Sequence, residues 1–399
     1  SESGNQPMHS HSSRYVIVFN GEIYNFQSLR EKLLEKGVVF KGTSDTEVLL
    51  SLVESFGLDE ALQQLYGMYA FALYDRQLQQ LSLVRDPIGE KPLYYSFKDG
   101  RFTFCSELKE LLKTYNYGHE DIDFSSLQSF LRYGYISAPQ TILKSVKKLD
   151  PGSILTIRVP SLKQHIKEPE ATVRPFFDLE HRPVSGDIYT TENLNEGISV
   201  LDETLNSVIQ EQSISDVAVG AFLSGGIDST LVASILQNQS AKPIDTFTIG
   251  FNEKEFNEAK FAKQISQHLG TNHHELYLDS KHMIDLVPQM VEIYDEPFAD
   301  SSQLPMFLVS KLAKQNVTVC LSGDGGDELF NGYNRYVYPE SVSRYSKSMP
   351  AIVRSLASKS LKAVNPSTLS SLYKFFTSIS GNKSGANFGN KVHKFADLL

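Results

Sequence analysis

A short polar stretch at residues 223–229 has the residue types that bind phosphate. It reads LSGGIDS, and its small and polar members are Ser224, Gly225, Gly226, Asp228 and Ser229. Adjacent glycines let the backbone approach a bulky ligand closely, and serine hydroxyls add hydrogen bonds. A carboxylate repels a phosphate unless a divalent cation lies between them, so Asp228 indicates Mg²⁺ bridging to a polyphosphate. An ordinary turn in which Ser and Asp cap a helix is the alternative interpretation.

The segments on either side of this stretch are those that a phosphate-binding loop needs. Residues 216–223 (DVAVGAFL) form an apolar run of the length expected for a strand buried on both faces of a parallel sheet. Leu231, Ile235 and Leu236 then recur at helical spacing, so the N–H groups of the turn belong to a helix N-terminus, which attracts anions. No lysine follows Gly226, and the stretch therefore lacks the pattern of the Walker loop.

Two further strands of the same sheet are predicted downstream. Residues 243–251 (PIDTFTIGF) are strand-like, and residues 318–336 begin as a strand and end in a loop of glycines and acids. Between them, apolar residues at helical spacing and a stop at Gly270 predict the crossover helix that parallel strands require. Such sheets bind ligands beyond the carboxyl ends of their strands, where Asp228 and Asp327 are both expected and could share one metal ion.

Residues 195–340 resemble the synthetase domain of glutamine-dependent asparagine synthetases, whose S-G-G-x-D-S loop belongs to an ATP-pyrophosphatase fold. The resemblance implies an enzyme that splits ATP between its α and β phosphates. It also implies that Asp228 and Asp327 hold Mg²⁺ on the pyrophosphate. The residues that would contact ATP are Leu223, Ser224, Gly225, Gly226, Asp228, Ser229, Ile249, Ser322 and Gly323.

One position departs from this family's pattern and leaves the acceptor substrate open. Asp324 lies where the family usually has glutamate, so its L-S-G-E-G-x-D-E motif reads LSGDGGDE, and we assign Asp324 a catalytic role. The leading acceptor is aspartate, amidated to asparagine with glutamine-derived ammonia through an acyl-adenylate, with release of pyrophosphate and AMP. A nucleotide-sugar uronate in polysaccharide synthesis is the alternative, suggested by Asp324 and by residues 133–142 (YGYISAPQTI). A nucleotide-binding module without turnover is a third interpretation.

The first half of the chain has the pattern of an α+β domain. Residues 15–37 predict a strand, a polar turn and a helix whose apolar residues Leu29, Leu33 and Leu34 face one way. Short runs rich in aromatic and β-branched residues follow, separated by Asp-Pro and Asp-Gly. These runs predict antiparallel hairpins at residues 68–75, 80–86, 92–97 and 101–106.

Four motifs of this half resemble the class II glutamine amidotransferase domain, an Ntn-hydrolase fold: FNGEIYN, SDTEVLL, GMYAFALYD and RDPIGEKPLYY. The resemblance implies that Asn20 and Gly21 form an oxyanion hole and that Glu22 and Asp45 bind the amino and carboxylate ends of glutamine. Without it, Asn20 and Gly21 would be interpreted as a turn. The nucleophile of that fold is an N-terminal cysteine, whereas this chain opens on SESGNQPMHS. We therefore expect a chain cut at both ends that does not hydrolyse glutamine.

Other conspicuous residues are assigned structural roles. Cys105 and Cys320 lie in strand-like runs and are expected to be inert, buried thiols. His273 and His274 lack the convergent ligands that zinc needs and are expected at a strand edge or on the surface. The acids and serines of residues 295–305 (DEPFADSSQLP) either order water at the reaction site or belong to a capped loop that opens the next helix.

Composition and charge bound the class of protein. The 399 residues, 41% hydrophobic and 21% charged, are divided into an amidotransferase domain (1–182), a linker (183–197) that ends the proline-rich stretch 160–197, and an ATP-binding domain (198–399). Two cysteines permit no disulfide framework, and no apolar run could span a bilayer, so we expect a cytoplasmic protein. Residues 341–399 carry nine Lys or Arg and one acid, against a net charge of −9 overall. We expect ATP and other small molecules as partners, no nucleic acid and no membrane, and a homodimer as the candidate assembly.

Overall fold

The structure is a computed structural model of the 399-residue chain. It describes residues 4–158, 171–177, 193–251, 257–278, 280–333 and 350–371, together with residues 373, 392, 393 and 396. The chain divides into two compact units. One comprises Ser1–Gly225 and Val232–Leu321, and the other comprises Gly226–Leu231 and Ser322–Leu399.

Two antiparallel sheets form the N-terminal part of the first unit. Their strands are β1 (Met8–His9), β2 (Tyr15–Ile23), β3 (Gly67–Asp75), β4 (Gln80–Arg85), β5 (Tyr94–Lys98), β6 (Arg101–Cys105), β7 (Val146–Lys148), β8 (Ser153–Arg158) and β9 (Ala171–Pro175). The larger sheet has the order β1-β2-β3-β4-β8-β9, and the smaller has the order β6-β5-β7. The hairpins predicted from the aromatic runs are confirmed, because β3 pairs with β4 and β5 with β6 in antiparallel register.

Helices and the second sheet cover the two faces of the larger sheet. The helices of this part are α1 (Phe26–Glu35), α2 (Asp45–Phe56), α3 (Leu58–Leu62), α4 (Leu108–Thr114) and α5 (Phe124–Tyr133), with a 3₁₀ turn at His119–Asp121. Ile17 of β2 packs with Leu33 and Leu49 of the helices in one core, and Leu83 packs with Leu93 and Leu155 in a second core between the sheets. The predicted α+β architecture is confirmed. Leu34 is an exception, because its side chain is 50% exposed and does not face the core with Leu29 and Leu33.

A four-stranded parallel sheet forms the rest of the first unit. Its strands are β10 (Val219–Phe222), β11 (Asp245–Phe251), β12 (Asn272–Leu278) and β13 (Val319–Leu321), in the order β12-β11-β10-β13. All three pairs are parallel, which confirms the parallel sheet predicted for β10, β11 and β13, whereas the edge strand β12 was not predicted as part of this sheet. The helices after the N-terminal part are α6 (Leu194–Ser213), α7 (Ile227–Gln239), α8 (Ala259–Leu269), α9 (Ser280–Leu286), α10 (Met290–Ile293), α11 (Gln303–Ala313), α12 (Gly326–Leu329) and α13 (Ala351–Ala363), with a 3₁₀ turn at Val287–Gln289.

Helices bury both faces of this sheet, which explains the apolar strands. Leu236 of α7 and Ala262 of α8 pack with Ala221 on one face. Val309 of α11 packs with Phe247 on the other face. The crossover helix α8 ends at Gly270, whose φ of +74° is in the left-handed region that glycine adopts readily.

The proline-rich stretch at residues 160–197 is more ordered than a linker where the structure describes it. Residues 171–175 form β9, which pairs with β8 along five residues, and α6 begins at Leu194. The rest of the predicted linker, up to residue 192, lies outside the described residues. In the part of the chain that the structure describes, no helix is long and apolar enough to cross a membrane.

Candidate nucleotide and glutamine sites

The stretch at residues 223–229 follows the carboxyl end of β10. Leu223 is fully buried and extends the strand ladder, since its N–H donates to the Phe247 carbonyl over 2.9 Å. Gly225 has a φ of +89°, which favours glycine. A Cβ at Gly225 would lie 3.0 Å from the Cβ of Phe261, so the loop passes close to the start of α8. The predicted order of strand, tight turn and helix is confirmed.

Two more residues predicted to contact ATP lie in the first unit. Ser224 is exposed in the loop. Ile249 lies on β11 and is half-buried, packed against the cluster of Phe247 and Val309. Both positions follow from the parallel sheet, because neighbouring parallel strands end at one edge.

In the second unit, the first turn of α7 lies against the glycine-rich loop at residues 322–326. A Cβ at Gly323 would lie 2.6 Å from the backbone nitrogen of Ser229. A Cβ at Gly326 would lie 2.6 Å from the carboxyl carbon of Asp228. Atoms at these distances overlap, so a side chain at position 323 would require the backbone to move, and one at position 326 would displace the Asp228 carboxylate. The segment of Asp228 and the second acidic loop are therefore in direct contact.

Local hydrogen bonds hold the other polar residues of that loop. The Ser322 hydroxyl donates to Asp324 Oδ2 over 3.1 Å, and the Asp324 N–H donates to the Ser322 hydroxyl oxygen over 3.3 Å. Asp324 is exposed, so a substrate can reach its carboxylate. The carbonyl of Asp327 accepts a hydrogen bond from Gly332 over 2.9 Å, and its carboxylate lies where a side chain at Gly332 would be.

The two acids assigned to magnesium have the chemistry that this ion needs. Among the described residues, no group of three or more His, Cys, Asp or Glu side chains is placed to hold a metal ion by itself. Mg²⁺ is usually bound by one or two carboxylates together with substrate phosphates. Asp228 and Asp327 fit that requirement by type, and a metal ion shared between them stays a prediction.

The residues assigned to glutamine chemistry lie on β2 and at the start of α2. Asn20, Gly21 and Glu22 are strand residues, so the turn interpretation is wrong at these positions. A Cβ at Gly21 would overlap with the carbonyl oxygen of Met68 on β3, and glycine therefore permits this pairing. The Asn20 side-chain amide donates to the Ser106 hydroxyl over 2.9 Å, which fixes its direction. The oxyanion-hole role of Asn20 and Gly21 stays a prediction.

Glu22 and Asp45 are close enough to affect each other's charge. Burial raises the pKa of Glu22, and the Asp45 carboxylate raises it further. Asp45 begins α2, where its side chain accepts hydrogen bonds from the N–H groups of Ile23 over 3.0 Å and Thr46 over 2.6 Å. Neighbouring carboxylates favour a cation between them, and an ammonium group satisfies that requirement. The pair therefore suits the amino end of an amino acid.

Comparisons with known proteins identify the family to which the two halves of the chain belong. The sequence model of asparagine synthase matches residues 200–399, which is half of the chain, and that of the glutamine amidotransferase domain matches residues 1–166. The chain belongs to the asparagine synthase family. Below, residues 1–166 are named the amidotransferase region and residues 200–399 the synthase region.

Curated relatives of this family are similar over most of the chain. The glutamine-hydrolyzing asparagine synthetase 1 of Bacillus subtilis is 37% identical over 346 residues, which are 87% of this chain and 52% of the relative. The glutamine-hydrolyzing asparagine synthetase 2 of Oryza sativa subsp. japonica is 30% identical over 368 residues, which are 87% of this chain and 54% of the relative. The chain thus spans about half the length of the curated relatives it matches.

Asp86 in the amidotransferase region is a buried organising residue that sequence reasoning missed. It is 1% exposed, and its carboxylate accepts hydrogen bonds from the N–H groups of Tyr69, Ile88, Gly89, Glu90 and Lys91. Arg85 stabilises the same loop from the other side, donating to the carbonyl groups of Gly89, Lys91 and Leu149 over 2.7 to 2.8 Å. The only sequence signal was the Asp-Pro dipeptide, which indicates a turn and not its centre.

The two neighbouring histidines and the two cysteines lie in or next to the hydrogen-bonded strands. His273 and His274 lie on the edge strand β12, as predicted, but His273 is not on the surface, because its side chain is 8% exposed and bonds Thr246 Oγ1 over 2.9 Å. His274 bonds Asp245 over 2.8 Å. Cys105 and Cys320 are half-buried and not fully buried as expected, and this partial burial raises the pKa of both thiols to about 11. The inertness of the thiols stays a prediction.

Among the acids of residues 295–305, Asp300 bonds locally, whereas Asp295 and Glu296 have a role that neither expectation named. Asp300 accepts a hydrogen bond from the Ser302 N–H over 2.8 Å, as a local cap would, and α11 begins at Gln303. Asp295 and Glu296 instead bond residues of the amidotransferase region, 154 to 187 positions away in the sequence. No local pattern could have shown these contacts.

Proposed function

We propose that the chain is part of a glutamine-dependent asparagine synthetase and carries its ATP-dependent, amide-forming chemistry. In this reaction a carboxylate oxygen of the aspartate side chain attacks the α-phosphorus of ATP, and pyrophosphate leaves. Ammonia then attacks the acyl carbon, AMP leaves, and asparagine forms. The observation that carries the proposal is the contact between the Asp228–Ser229 turn and the loop of Gly323 and Gly326. The two glycines leave the space that this contact needs, and the turn places the Asp228 carboxylate against the loop.

The first turn of α7 and the residues before it would bind the phosphates. Backbone N–H groups at a helix N-terminus carry partial positive charge, and the exposed Ser224 would add a hydroxyl donor. The Ser229 hydroxyl is buried and donates to the Gly226 carbonyl over 3.3 Å, so it would have to rotate to bind a phosphate. In the first unit, Leu223 and Ile249 would contact the adenosine part through backbone groups, and the contact that the family resemblance implies for Ser322 and Gly323 stays a prediction. Mg²⁺, held by Asp228 and Asp327, would neutralise charge on the departing pyrophosphate.

Asp324 would act on the acceptor side of the same site. Its exposed carboxylate is oriented by Ser322, so it can hold or accept a proton from an incoming ammonia. The shorter side chain relative to glutamate leaves room for an acceptor other than aspartate. A nucleotide-sugar uronate is therefore compared with aspartate as the acceptor in the exchange assay described below.

The amidotransferase region would bind glutamine, the source of the ammonia, although the cysteine nucleophile of that fold is not among the residues of this sequence. Glu22 and Asp45 would bind the amino acid end of glutamine, and Asn20 with Gly21 would stabilise the oxyanion that forms at the amide carbon. We also propose a cytoplasmic location and the domain division at residues 183–197. A homodimer stays a prediction, which light scattering of the purified protein can check.

The test is ATP–pyrophosphate exchange with MgATP and one acceptor at a time. We expect labelled pyrophosphate to enter ATP with aspartate and not with a nucleotide-sugar uronate. Asp228→Asn should weaken MgATP binding without unfolding the protein, and Asp285→Asn, an exposed acid of α9, is the matched control. Exchange with the uronate and not with aspartate would show that the uronate is the acceptor. Nucleotide binding without any exchange would support a nucleotide-binding module that catalyses no reaction.

A further inference from the structure

The loop after α10 joins the synthase region to the amidotransferase region. The N–H of Leu108 donates to Asp295 Oδ2 over 2.5 Å, and the N–H of Ala299 donates to the Gly134 carbonyl over 2.8 Å. Gly134 ends α5 with a φ of +85°, and a Cβ there would lie 3.6 Å from that of Ala299. All these residues belong to the same compact unit. Residues 295–299 are named the docking loop below.

A buried ion pair lies at the centre of the docking loop. Glu296 Oε2 is 2.7 Å from Lys148 Nζ, and the side chains are 10% and 13% exposed. Glu296 Oε1 also accepts from the Ile142 N–H over 2.9 Å, and Lys148 Nζ also donates to the Ile136 carbonyl over 2.6 Å. Removing one member would leave the other charge buried and unpaired, which is costly. The pair therefore fixes the loop against β7 and the segment before it.

The docking loop is continuous with an element of the candidate nucleotide site. It leads into α11, whose Val309 and Ala313 pack on Phe247 of β11, and Ile249 of the same strand is packed there too. A short, hydrogen-bonded connection thus runs from Lys148 in the amidotransferase region to the strand that carries Ile249. Packed side chains of this kind transmit position, because protein interiors are close-packed.

We propose that Glu296 and Lys148 are positioning residues, which hold the amidotransferase region on the synthase region so that nitrogen released from glutamine is used for amide formation. The inference rests on the proposed function. The pair acts through the orientation of the two regions and touches no reacting atom. Its loss should leave each half-reaction intact and reduce only their coupling.

Hydrogen exchange tests the docking role without any need for activity. Glu296→Gln and Lys148→Met are compared with Lys147→Met, which changes the same charge at an exposed position of the same strand. We expect the amides of Leu108, Ile142 and Ala299 to exchange roughly tenfold faster in both pair variants, because the hydrogen bonds of all three are made by the docking loop and open when it detaches. The double variant Glu296→Gln, Lys148→Met should show the same exchange rates as the single variants. Faster exchange at Ile142 alone would overturn the docking role.

The positioning role is tested by comparing nitrogen sources. Because this sequence opens on Ser1 and not on the cysteine nucleophile of the amidotransferase fold, the protein used is the chain extended at both ends by its native gene. In it, glutamate release, amide formed with ammonia and amide formed with glutamine are measured separately. We expect the pair variants to keep the first two within about twofold and to lose roughly tenfold in amide formed per glutamate released, while Lys147→Met keeps that ratio. Equal losses in all three rates, or an unchanged ratio, would overturn the inference. A wild type that forms amide from neither source would refute the proposed function instead, and the exchange data would then decide the docking role alone.

Discussion

Gly326→Ala adds one methyl group at the contact between the two loops of the second unit. Its Cβ would lie 2.6 Å from the carboxyl carbon of Asp228 and 2.8 Å from Oδ1. Non-bonded carbon atoms rest about 3.5 Å apart or more, so the carboxylate must retreat by about 0.9 Å. Metal sites tolerate errors of about 0.2 Å in ligand distance, and a displaced ligand commonly costs 10- to 100-fold in metal affinity. We therefore expect MgATP to bind roughly 10- to 100-fold more weakly.

The neighbouring substitution Gly325→Ala separates this effect from backbone strain. Gly325 has a φ of +89° and nothing within 4 Å of an added Cβ, so alanine there costs about 1–2 kcal/mol of folding free energy without touching Asp228. Gly326 begins α12, where alanine favours the helix. Calorimetric titration with MgATP and thermal unfolding should thus give opposite results for the two variants. Weaker binding in Gly325→Ala with unchanged binding in Gly326→Ala would refute the argument from the Asp228 contact.

Three further outcomes follow from the amidotransferase region and the thiols. Glutamine binding should weaken as the pH falls through the raised pKa of Glu22, because protonation removes the charge that attracts the ammonium group. The variant Glu22→Gln should bind glutamine weakly at every pH. At neutral pH it should also be more stable to unfolding than the wild type, in which the ionised Glu22 carboxylate opposes folding. Asp86→Asn should lower the free energy of unfolding by about 3 kcal/mol in urea titration, with the exposed Asp99→Asn unchanged, since five N–H groups lose their charged acceptor. Iodoacetamide at pH 7 should modify Cys105 and Cys320 more slowly in the folded protein than in denaturant, because partial burial raises the pKa of both thiols, and equal rates would contradict this expectation.

Local sequence patterns were sufficient to predict β10, β11 and β13 and the loop after β10. The apolar run before Ser224 predicts a buried strand, and the helical spacing after it predicts a helix. Because only a short turn separates them, the start of the helix is predicted as well. Gly270 indicated the end of α8 for the same local reason, its positive φ. Both predictions depend on residues within one or two turns of each other.

Local patterns failed where a distant segment decides the conformation. Asn20 and Gly21 have turn composition, yet pairing with β3 keeps them in a strand, and the missing Cβ of Gly21 serves the close approach of that neighbour. Residues 171–175 look like a linker and become a strand because β8 offers an open edge. The partners of Glu296 could not be inferred at all, since they lie about 150 residues away.

The central claim is that a carboxylate is activated by attack on the α-phosphorus of ATP. Aspartate labelled with ¹⁸O in its side-chain carboxylate tests this directly, with MgATP and ammonia, because the attacking oxygen stays on phosphorus when ammonia displaces AMP. We expect one labelled oxygen in AMP for each asparagine formed and none in pyrophosphate. Label in inorganic phosphate with ADP as the nucleotide product, or unlabelled AMP alongside asparagine, would contradict it.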